Sequence, residues 1–331
     1  MCKKSSLLGW LMAVLVPSLM ALFSSITLAQ EFPPKKTVTM VVGFAAGGAA
    51  DTGARLIAKK LGENIGQTVL VDNKPGAGGN IAHTTVATGP ADGSMILLGS
   101  IGPLTIAPHL MKLPYDPVKD LAPLTMGMSF PNILVVPSTL GVSSLKEYVA
   151  LAKKEPGKLT YASTGNGSAS HLQGELFNLR AGIDVVHIPY KGAGPGLTDL
   201  LGGNLNLGYY TSVVVTPHIK SGKLRALAVT TDKRVDSLPG VPTISEFIPN
   251  FGSAEHWYGF WGPGGIDASI VKRLNLAVAK VIETPEMREK ILAEGFTPAH
   301  SSPEEFRQRL AIEVPRWIRV AKTANIKPAG E

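Results

Sequence analysis

The sequence predicts a two-domain protein of the α/β class, in which helices cover mostly parallel sheets. The chain has 331 residues, of which 44% are hydrophobic and 17% are charged, so it can bury a large core. A domain commonly takes about 150 residues. Short β-type runs alternate with longer helical patterns, which is typical of parallel sheets. This alternation restarts after the segment Phe130–Pro137 and therefore indicates a second α/β unit.

The first unit begins with a predicted strand at Val38–Phe44. An amphipathic helix follows it, and Gly66 is the expected C-terminal stop. A second strand is predicted at Thr68–Asn73, a short helix near Ile81–Thr88, and a third strand at Ser94–Gly99. Three predicted strands thus alternate with two predicted helices before the segment at residue 130.

The second unit opens with a helix that runs through Lys154. Ser144 and Glu147 have the spacing of a capping box at its start. The later elements alternate in type and are predicted, in chain order, as a strand at Leu159–Ser163, a helix at Ser170–Ala181, a strand at Val185–Tyr190, a helix at Pro195–Leu201, and strands at Leu205–Tyr210 and Leu224–Val229.

Beyond the proline-rich stretch Leu238–Glu246 the pattern predicts two helices, one capped by Asp267 and one that opens with Ser302 and Pro303. Two helices without new strands cannot form a sheet domain, so we expect them to pack on the first unit. The first domain is then discontinuous. Its predicted ranges are 30–131 and 251–331, and the second domain is predicted at 132–250.

The N-terminus has the pattern of an export signal. Two lysines precede an apolar run from Leu7 to Ile26, and small residues follow up to Ala29. We predict a signal peptide at residues 1–29, cleaved after Ala29, and a periplasmic mature protein. An uncleaved membrane anchor is the alternative, because the run is nearly long enough to span a bilayer. The only cysteine, Cys2, precedes the run, so the mature chain would have no disulfide.

Three predicted strand-to-helix turns share an unusual content of small residues. They are FAAGGAAD at 44–51, STGNGSAS at 163–170 and YKGAGPG at 190–196. The first turn of a helix has free N–H groups and a partial positive charge, and small residues let an anion approach it. A single turn of this kind is better explained by the need for glycine in tight turns. Three of them on two domains indicate a cleft that binds a carboxylate or phosphate.

The more specific nucleotide-binding motifs are missing from these turns. Ala49 and Ala50 stand where a phosphate loop requires Lys and Ser or Thr, and the dinucleotide pattern G-x-G-x-x-G fails at each turn. The sequence contains no G-x-S-x-G and no H-E-x-x-H. No basic run interleaved with aromatic residues indicates nucleic acid, although the net charge is +7. We therefore expect no cofactor, no metal, no nucleic acid and no catalysis.

Asp51 allows two interpretations. An acid in the first turn of a helix is favoured by the helix dipole and can accept hydrogen bonds from its own turn. Alternatively, its carboxylate receives a hydroxyl or ammonium group of a ligand.

The runs VVGFAAGGAADTGARL, YASTGNGSASHLQGELF, IPYKGAGPGLTDLLGG and LPGVPTISE occur in the order seen in one known family. Over essentially its whole mature length the chain resembles the tripartite tricarboxylate transporter substrate-binding proteins, also called Bug or TctC proteins. The resemblance implies a Venus-flytrap fold of the periplasmic-binding-protein type with a two-segment hinge. It also implies a monomer that captures a small organic carboxylate and delivers it to a membrane permease.

By resemblance, backbone and hydroxyl donors of both domains hold the ligand. The residues expected from the first domain are Phe44, Ala46, Gly47, Asp51 and Ser100. Those expected from the second domain are Thr164, Gly165, Ser168, His171, Tyr190, Gly192 and Ala193, with Tyr210 as a wall. The alternatives are a ligand-sensing partner of a sensor kinase and a periplasmic hydrolase.

The chain departs from the family pattern in two places. Ala45 and Ala46 stand where relatives commonly have two prolines, while Gly47 and Gly48 are retained. Tyrosines 209 and 210 stand where small or aliphatic residues are common. An aromatic acid would suit these tyrosines, and dicarboxylates and tricarboxylates also remain open as ligands.

Overall fold

A computed structural model describes residues 37–105, 107–110, 112–236, 238–249, 251 and 255–323. The predicted signal peptide and its cleavage site after Ala29 lie outside these residues. The strands are β1 Val38–Val42, β2 Val69–Asn73, β3 Met95–Gly99, β4 Leu121–Phe130, β5 Asn132–Pro137, β6 Thr160–Ser163, β7 Val186–Pro189, β8 Leu207–Thr211, β9 Leu224–Val229, β10 His256–Pro263 and β11 Thr297–Pro298.

The helices are α1 Ala49–Ile65, α2 Asn80–Ala87, α3 Gly102–Thr105, α4 Ala107–Leu110, α5 Leu145–Lys154, α6 Ala169–Ala181, α7 Ala193–Leu201, α8 Ser212–Lys220, α9 Ile244–Phe247, α10 Ala268–Ile282, α11 Pro285–Ala293 and α12 Pro303–Thr323. Within the described ranges no helix is both long and apolar enough to cross a bilayer. Helices α3, α4, α8, α9 and α11 were not predicted from the sequence.

The strands form two sheets, and the two-domain α/β class is confirmed. The first sheet has the order β11-β4-β10-β3-β1-β2, and the second has the order β7-β6-β8-β5-β9. The predicted parallel strands are present, since β1 pairs with β2 and β3, and β6 with β7 and β8. The remaining pairs are antiparallel. The sheets are therefore mixed, with a parallel part of three strands in each, rather than mostly parallel.

The prediction that no strand follows residue 250 is wrong, because β10 and β11 both join the first sheet. Glycines weaken the β-type signal in β4 and β10, yet they make room for aromatic rings. A Cβ on Gly127 would lie 2.7 Å from Cε2 of Phe260, and one on Gly259 would overlap the ring of Phe306. The late helices pack on the first domain as expected, since Ile270 and Leu274 of α10 share a core with Met40.

The capping box predicted for α5 is only partly present. Ser144 Oγ accepts a hydrogen bond from the Glu147 N–H, but the Glu147 carboxylate accepts from the N–H of Ser143 rather than from that of Ser144. The stop predicted for α1 is confirmed, because Gly66 has the left-handed conformation with φ 66°.

The chain crosses between the sheets at two neighbouring places. Pro131 alone separates β4 from β5, and β10 begins at His256, which pairs with Phe130. Every strand of the second sheet lies within 132–250, and every strand of the first lies outside that range. The domain boundaries themselves stay a prediction.

Candidate ligand-binding cleft

Glycine-rich loops of the two domains meet in a backbone contact that we call the seam, formed by Gly78 and Gly102 of the first domain and residues 165–169 of the second. A Cβ on Gly102 would lie 2.5 Å from the carbonyl oxygen of Gly167 and 3.0 Å from the N atom of Ala169. A Cβ on Gly78 would overlap the carbonyl oxygen of Asn166. Such distances leave no space for a side chain, so the domains are in direct contact and the cleft is closed.

Between the domains lies a cavity with a water-accessible volume of about 40 Å³. This is room for about three water molecules. A carboxylic acid of several carbon atoms needs more space, so a ligand of that size enters only when the domains move apart.

Four helices begin at this cavity. Its wall includes Gly48, Ala49 and Ala50 at the start of α1, Ala169 and Ser170 of α6, Ala193 of α7, and Thr211 and Val214 of α8. Each helix N-terminus carries roughly half a positive elementary charge. None of the described side chains that line the cavity is charged. Any positive potential in the cavity therefore comes from backbone dipoles.

Five polar side chains that line the cavity each have a buried atom without a hydrogen-bond partner in the described part of the chain, and we call them the polar wall. They are Ser100 and His256 of the first domain and Tyr209, Tyr210 and Thr211 of the second, with Ser100 Oγ, His256 Nε2, the two tyrosine hydroxyls and Thr211 Oγ1 as the buried atoms. A buried polar group without a partner costs about 1–3 kcal/mol. Ligand oxygen atoms in the cavity would satisfy such groups.

Burial sets the protonation of two members of the polar wall. It lowers the pKa of His256 to about 4, against a hydrogen bond to the backbone of Ala169 that raises it. Burial also raises the pKa of Tyr210. At neutral pH both side chains are therefore uncharged, and they offer hydrogen bonds rather than charge.

Asp51 points into its own turn and does not line the cavity. Its Oδ2 accepts hydrogen bonds from Gly47 N at 3.0 Å and Arg55 Nε at 3.0 Å, and its Oδ1 pairs with Arg55 Nη2 at 2.8 Å. Burial raises the pKa of Asp51, but the hydrogen bonds from Arg55, Gly47 and Asn73 outweigh it and hold the pKa below 3.8. The geometry agrees with the interpretation in which the Asp51 carboxylate accepts hydrogen bonds from its own turn.

Ser168 and His171 shape the second turn from within. Ser168 Oγ caps α6 by accepting from the His171 N–H at 3.3 Å, and His171 Nδ1 accepts from Gly167 N at 3.2 Å. The His171 ring stacks on His187 with 3.8 Å between the ring centroids. Burial lowers the pKa of His171 to about 4. Both residues therefore hold the seam loop in shape, and neither lines the cavity.

The other expected site residues divide between cavity, seam and surface. Those that line the cavity are Phe44, Ser100, Thr164, Ala193 and Tyr210. Gly165, with φ 129°, belongs to the seam, and Gly192, with φ 146°, would bring a Cβ to 3.2 Å from Cβ of Ala45 in the first domain. Ala46 and Gly47 are exposed, and the Tyr190 hydroxyl donates to Asp199 Oδ2 at 2.6 Å.

Several residues of the cavity were not expected from the sequence. Ser170 lines it and accepts from Thr164 N at 2.9 Å. Among the others are Phe130, Asn132, Thr211, Val214, His256 and Tyr258. Thr211 stands in a strand-to-helix turn like the three predicted ones, and an analysis of helix starts without glycine could have found it. His256 and Phe130 needed the pairing of β10 with β4, for which the sequence offers no local signal.

Comparison with known proteins finds a matching family model and similar proteins of known sequence and structure. Residues 53–326 match the family described as tripartite tricarboxylate transporter family receptor. Protein BugT of Bordetella pertussis is 37% identical over 297 residues, which cover 89% of this chain and 91% of BugT.

Two solved structures from Rhodopseudomonas palustris share both fold and sequence with the chain. Rpa4515 with adipate is 36% identical with a TM-score of 0.85, and the match covers 90% of this chain and 100% of that one. MatC with bound malate is 31% identical with a TM-score of 0.82, and the match covers 87% and 99%.

Proposed function

The chain belongs to the tripartite tricarboxylate transporter receptor family, and we propose that it captures a small organic carboxylate in its interdomain cleft and delivers it to a membrane permease of that transporter type. In this proposal the protein acts in the periplasm as a monomer. The ligand is a carboxylate whose charge is stabilised by the four helix N-termini. The expected site residues that line the cavity, such as Thr164 and Ala193, supply its first contacts.

The observation that carries this proposal is a cavity with four helix N-termini, five polar side chains that each have an unpartnered buried atom, and no charged side chain among its described lining residues. Helix N-termini favour anions because their N–H groups are free and the dipole is positive there. The relatives crystallised with adipate and malate support a carboxylate rather than a phosphate. Adipate and malate are both carboxylates.

The proposal includes no catalysis. A hydrolase needs a nucleophile beside a base that accepts its proton. Ser163 Oγ lies 2.5 Å from His187 Nε2, but neither residue lines the cavity. Burial, with the neighbouring His171, lowers the pKa of His187 to about 3, which makes it a poor base at neutral pH. This pair is therefore better explained as part of the core of the second domain.

A thermal-shift screen of the protein purified from periplasmic extracts tests the binding step. We expect carboxylic acids to raise the melting temperature, because a ligand at about 100 times its dissociation constant stabilises by roughly 2.7 kcal/mol. The corresponding amides are the matched control and should give little shift. A panel of aliphatic diacids, triacids and aromatic acids that gives no shift at all would contradict the proposal.

Deletion of the gene tests the delivery step. We expect uptake of the identified acid to be lost and to return when the gene is restored. Uptake that stays intact while induction of target genes is lost would favour the sensor-kinase partner instead. Turnover of a bound acid by the purified protein would favour an enzyme.

A further inference from the structure

The first domain has an apolar groove beside helices α10 and α12, which we call the helix groove. Its water-accessible volume is about 520 Å³, against about 40 Å³ for the interdomain cavity. A hollow of about 470 Å³ continues it along α10, because both are lined by Ala122, Val271 and Arg307. The apolar side chains of the groove include Val118, Leu121, Ala122, Val271, Leu310 and Val314.

Large apolar side chains at the helix groove remain in contact with water. Val118 is 77% exposed, and Leu276 of α10 is 58% exposed. Single exposed apolar residues are common on protein surfaces, but apolar residues grouped along a concave surface are typical of an interaction site.

The charged side chains that line the helix groove all have the same sign. They are Lys119, Lys272 and Arg307, and no acidic residue lines the groove among the described residues. Lys119 pairs with Asp116 at 3.7 Å and Arg307 with Glu304 at 2.5 Å, with both pairs on the surface. Exposed ion pairs are weak, so the carboxylate of a partner can replace these acids. The groove therefore suits a partner that is both apolar and acidic.

Another surface pocket, of about 480 Å³ beside α1 and α11, lacks this combination. Four basic and three acidic residues line it, and Lys60 and Lys290 both pair with Glu286. Its charges thus balance within the chain. Size alone does not distinguish the helix groove, whereas its apolar wall and its uniform positive charge do.

The helix groove is connected to the seam through the short helix α3. This helix begins at Gly102, which belongs to the seam, and Leu104 lines the groove two residues later. A partner seated in the groove therefore contacts an element whose first residue meets the second domain.

We propose that the helix groove is the surface on which the permease docks, and that its occupant is an amphipathic helix of the permease with acidic residues beside an apolar face. This rests on the proposed function, because delivery of the acid requires contact with the permease. The apolar face of that helix packs on Val118 and Leu276, and its carboxylates bind Lys272 and Arg307.

The dimensions of the helix groove favour a helix as the occupant. Its lining residues on α12 extend from Pro303 to Pro315, which is about 18 Å along the helix axis at 1.5 Å per residue. That length accommodates about three turns of a partner helix, and recognition of an amphipathic helix in an apolar groove is a common mode of binding. A lipid surface would instead require apolar residues that protrude.

The experiment separates docking from capture of the acid. Cells that lack the gene receive it on a plasmid, and uptake of radiolabelled adipate and malate is measured, because two related structures contain these acids. Titration calorimetry on the purified exported protein measures binding of the same acids. The variants are Leu276→Asp and Lys272→Glu. Their controls are Leu292→Asp, at a 55% exposed position of α11, and Lys158→Glu, at an exposed position between α5 and β6, and neither residue lines the groove.

We expect uptake to fall roughly five- to tenfold in Leu276→Asp, because a carboxylate replaces an apolar contact and repels the acidic partner. In Lys272→Glu it should fall roughly two- to fivefold, since one attractive charge becomes repulsive. Both controls should keep wild-type uptake. All four purified variants should keep the acid affinity and the melting temperature of the wild-type protein.

Wild-type uptake in both groove variants would overturn this inference and leave the proposed function standing. Loss of acid binding in these variants would also overturn it, because the groove would then act on the cleft itself. Sedimentation of the protein with phosphatidylglycerol vesicles that Lys272→Glu abolishes would assign the groove to a lipid surface and overturn it as well. Absence of gene-dependent uptake for every acid that the protein binds would instead overturn the delivery step of the proposed function together with this inference.

Discussion

At the seam the two domains meet through main-chain atoms of glycine-rich loops, whereas the polar wall offers side-chain hydroxyl groups and an imidazole. The seam has no room for a Cβ at Gly78 or Gly102, and its partners are backbone atoms. The polar wall consists of buried atoms that lack partners in the described part of the protein. Closure of the cleft and selection of the ligand are thus assigned to different parts of the molecule, and each can be altered separately.

The largest effect is expected from Gly102→Ala, which breaks the seam. The new Cβ would lie 2.5 Å from the carbonyl oxygen of Gly167 in the other domain. Gly102 is the first residue of α3 and has no positive φ, so the first domain itself tolerates alanine. Overpacking of this kind costs about 1–3 kcal/mol, so we expect acid affinity to fall roughly ten- to hundredfold. Titration calorimetry measures this loss, and small-angle X-ray scattering should show a more open protein.

The matched control for Gly102→Ala is Gly240→Ala, because a Cβ on Gly240 would have no neighbour within 4 Å in the described structure and φ is not positive. It should leave affinity and scattering unchanged. Wild-type affinity in Gly102→Ala would show that closure does not depend on the seam.

The next effect concerns the polar wall and compares two buried hydroxyl groups. The hydroxyls of Tyr210 and Tyr148 both lack a partner among the described residues, but only Tyr210 lines the cavity. Replacement by phenylalanine should raise the free energy of unfolding of both unliganded variants by about 1 kcal/mol, since an unsatisfied group is removed. Only Tyr210→Phe should also weaken acid binding, by about five- to tenfold. Equal binding by the two variants would place the Tyr210 hydroxyl outside the ligand contacts.

Asp51→Asn tests whether the Asp51 carboxylate stabilises the turn at residues 44–51. Loss of the charged hydrogen bonds to Gly47 and Arg55 should lower the free energy of unfolding by about 1–2 kcal/mol at pH 7. Because the folded pKa of Asp51 lies below 3.8, its contribution is complete above pH 3.8 and is lost as the pH falls through the folded pKa.

Urea unfolding of the wild-type and Asp51→Asn proteins at several pH values measures this difference. We expect the two stabilities to converge below pH 3.8, while acid affinity at pH 7 changes only a few-fold. A difference that is independent of pH would show that the carboxylate charge has no role in the turn.

The smallest effect is expected from Ala46→Pro. Gly47 has φ 79°, as at the third residue of a type II β-turn, and proline is favoured at the second residue, here Ala46. The exposed position leaves room for the ring. We expect stabilisation of about 0.4–1 kcal/mol, chiefly through a less flexible unfolded chain, visible as a higher melting temperature. A lower melting temperature would mean that the turn needs the alanine backbone.

The sequence predicted the parts of the cleft whose signal is local. Glycine and alanine after a strand revealed the starts of α1, α6 and α7, because a tight turn depends on residues that are consecutive in the chain. The alternating pattern likewise revealed the parallel strands. For Asp51 the sequence left two interpretations open, and the position of Arg55, one helical turn later, distinguishes them in the structure.

What the sequence did not predict depends on contacts between distant segments. His256 comes to the cleft because β10 inserts between β3 and β4, and glycines within β10 conceal its strand pattern. Thr211 was missed because its turn contains no glycine, although it opens a helix in the same way as the others. Gly78 and Gly102 were not singled out from the sequence, since their reason for lacking a side chain lies in the other domain.

The single residue between β4 and β5 has a consequence for the energetics of closing. The ring of Pro131 fixes its φ, and the residue before a proline, Phe130, is confined to extended conformations. Ordering one flexible residue costs about 1–2 kcal/mol in conformational entropy. A joint already confined in this way gives up little backbone entropy when the domains close, so this crossing subtracts little from the free energy of the ligand contacts.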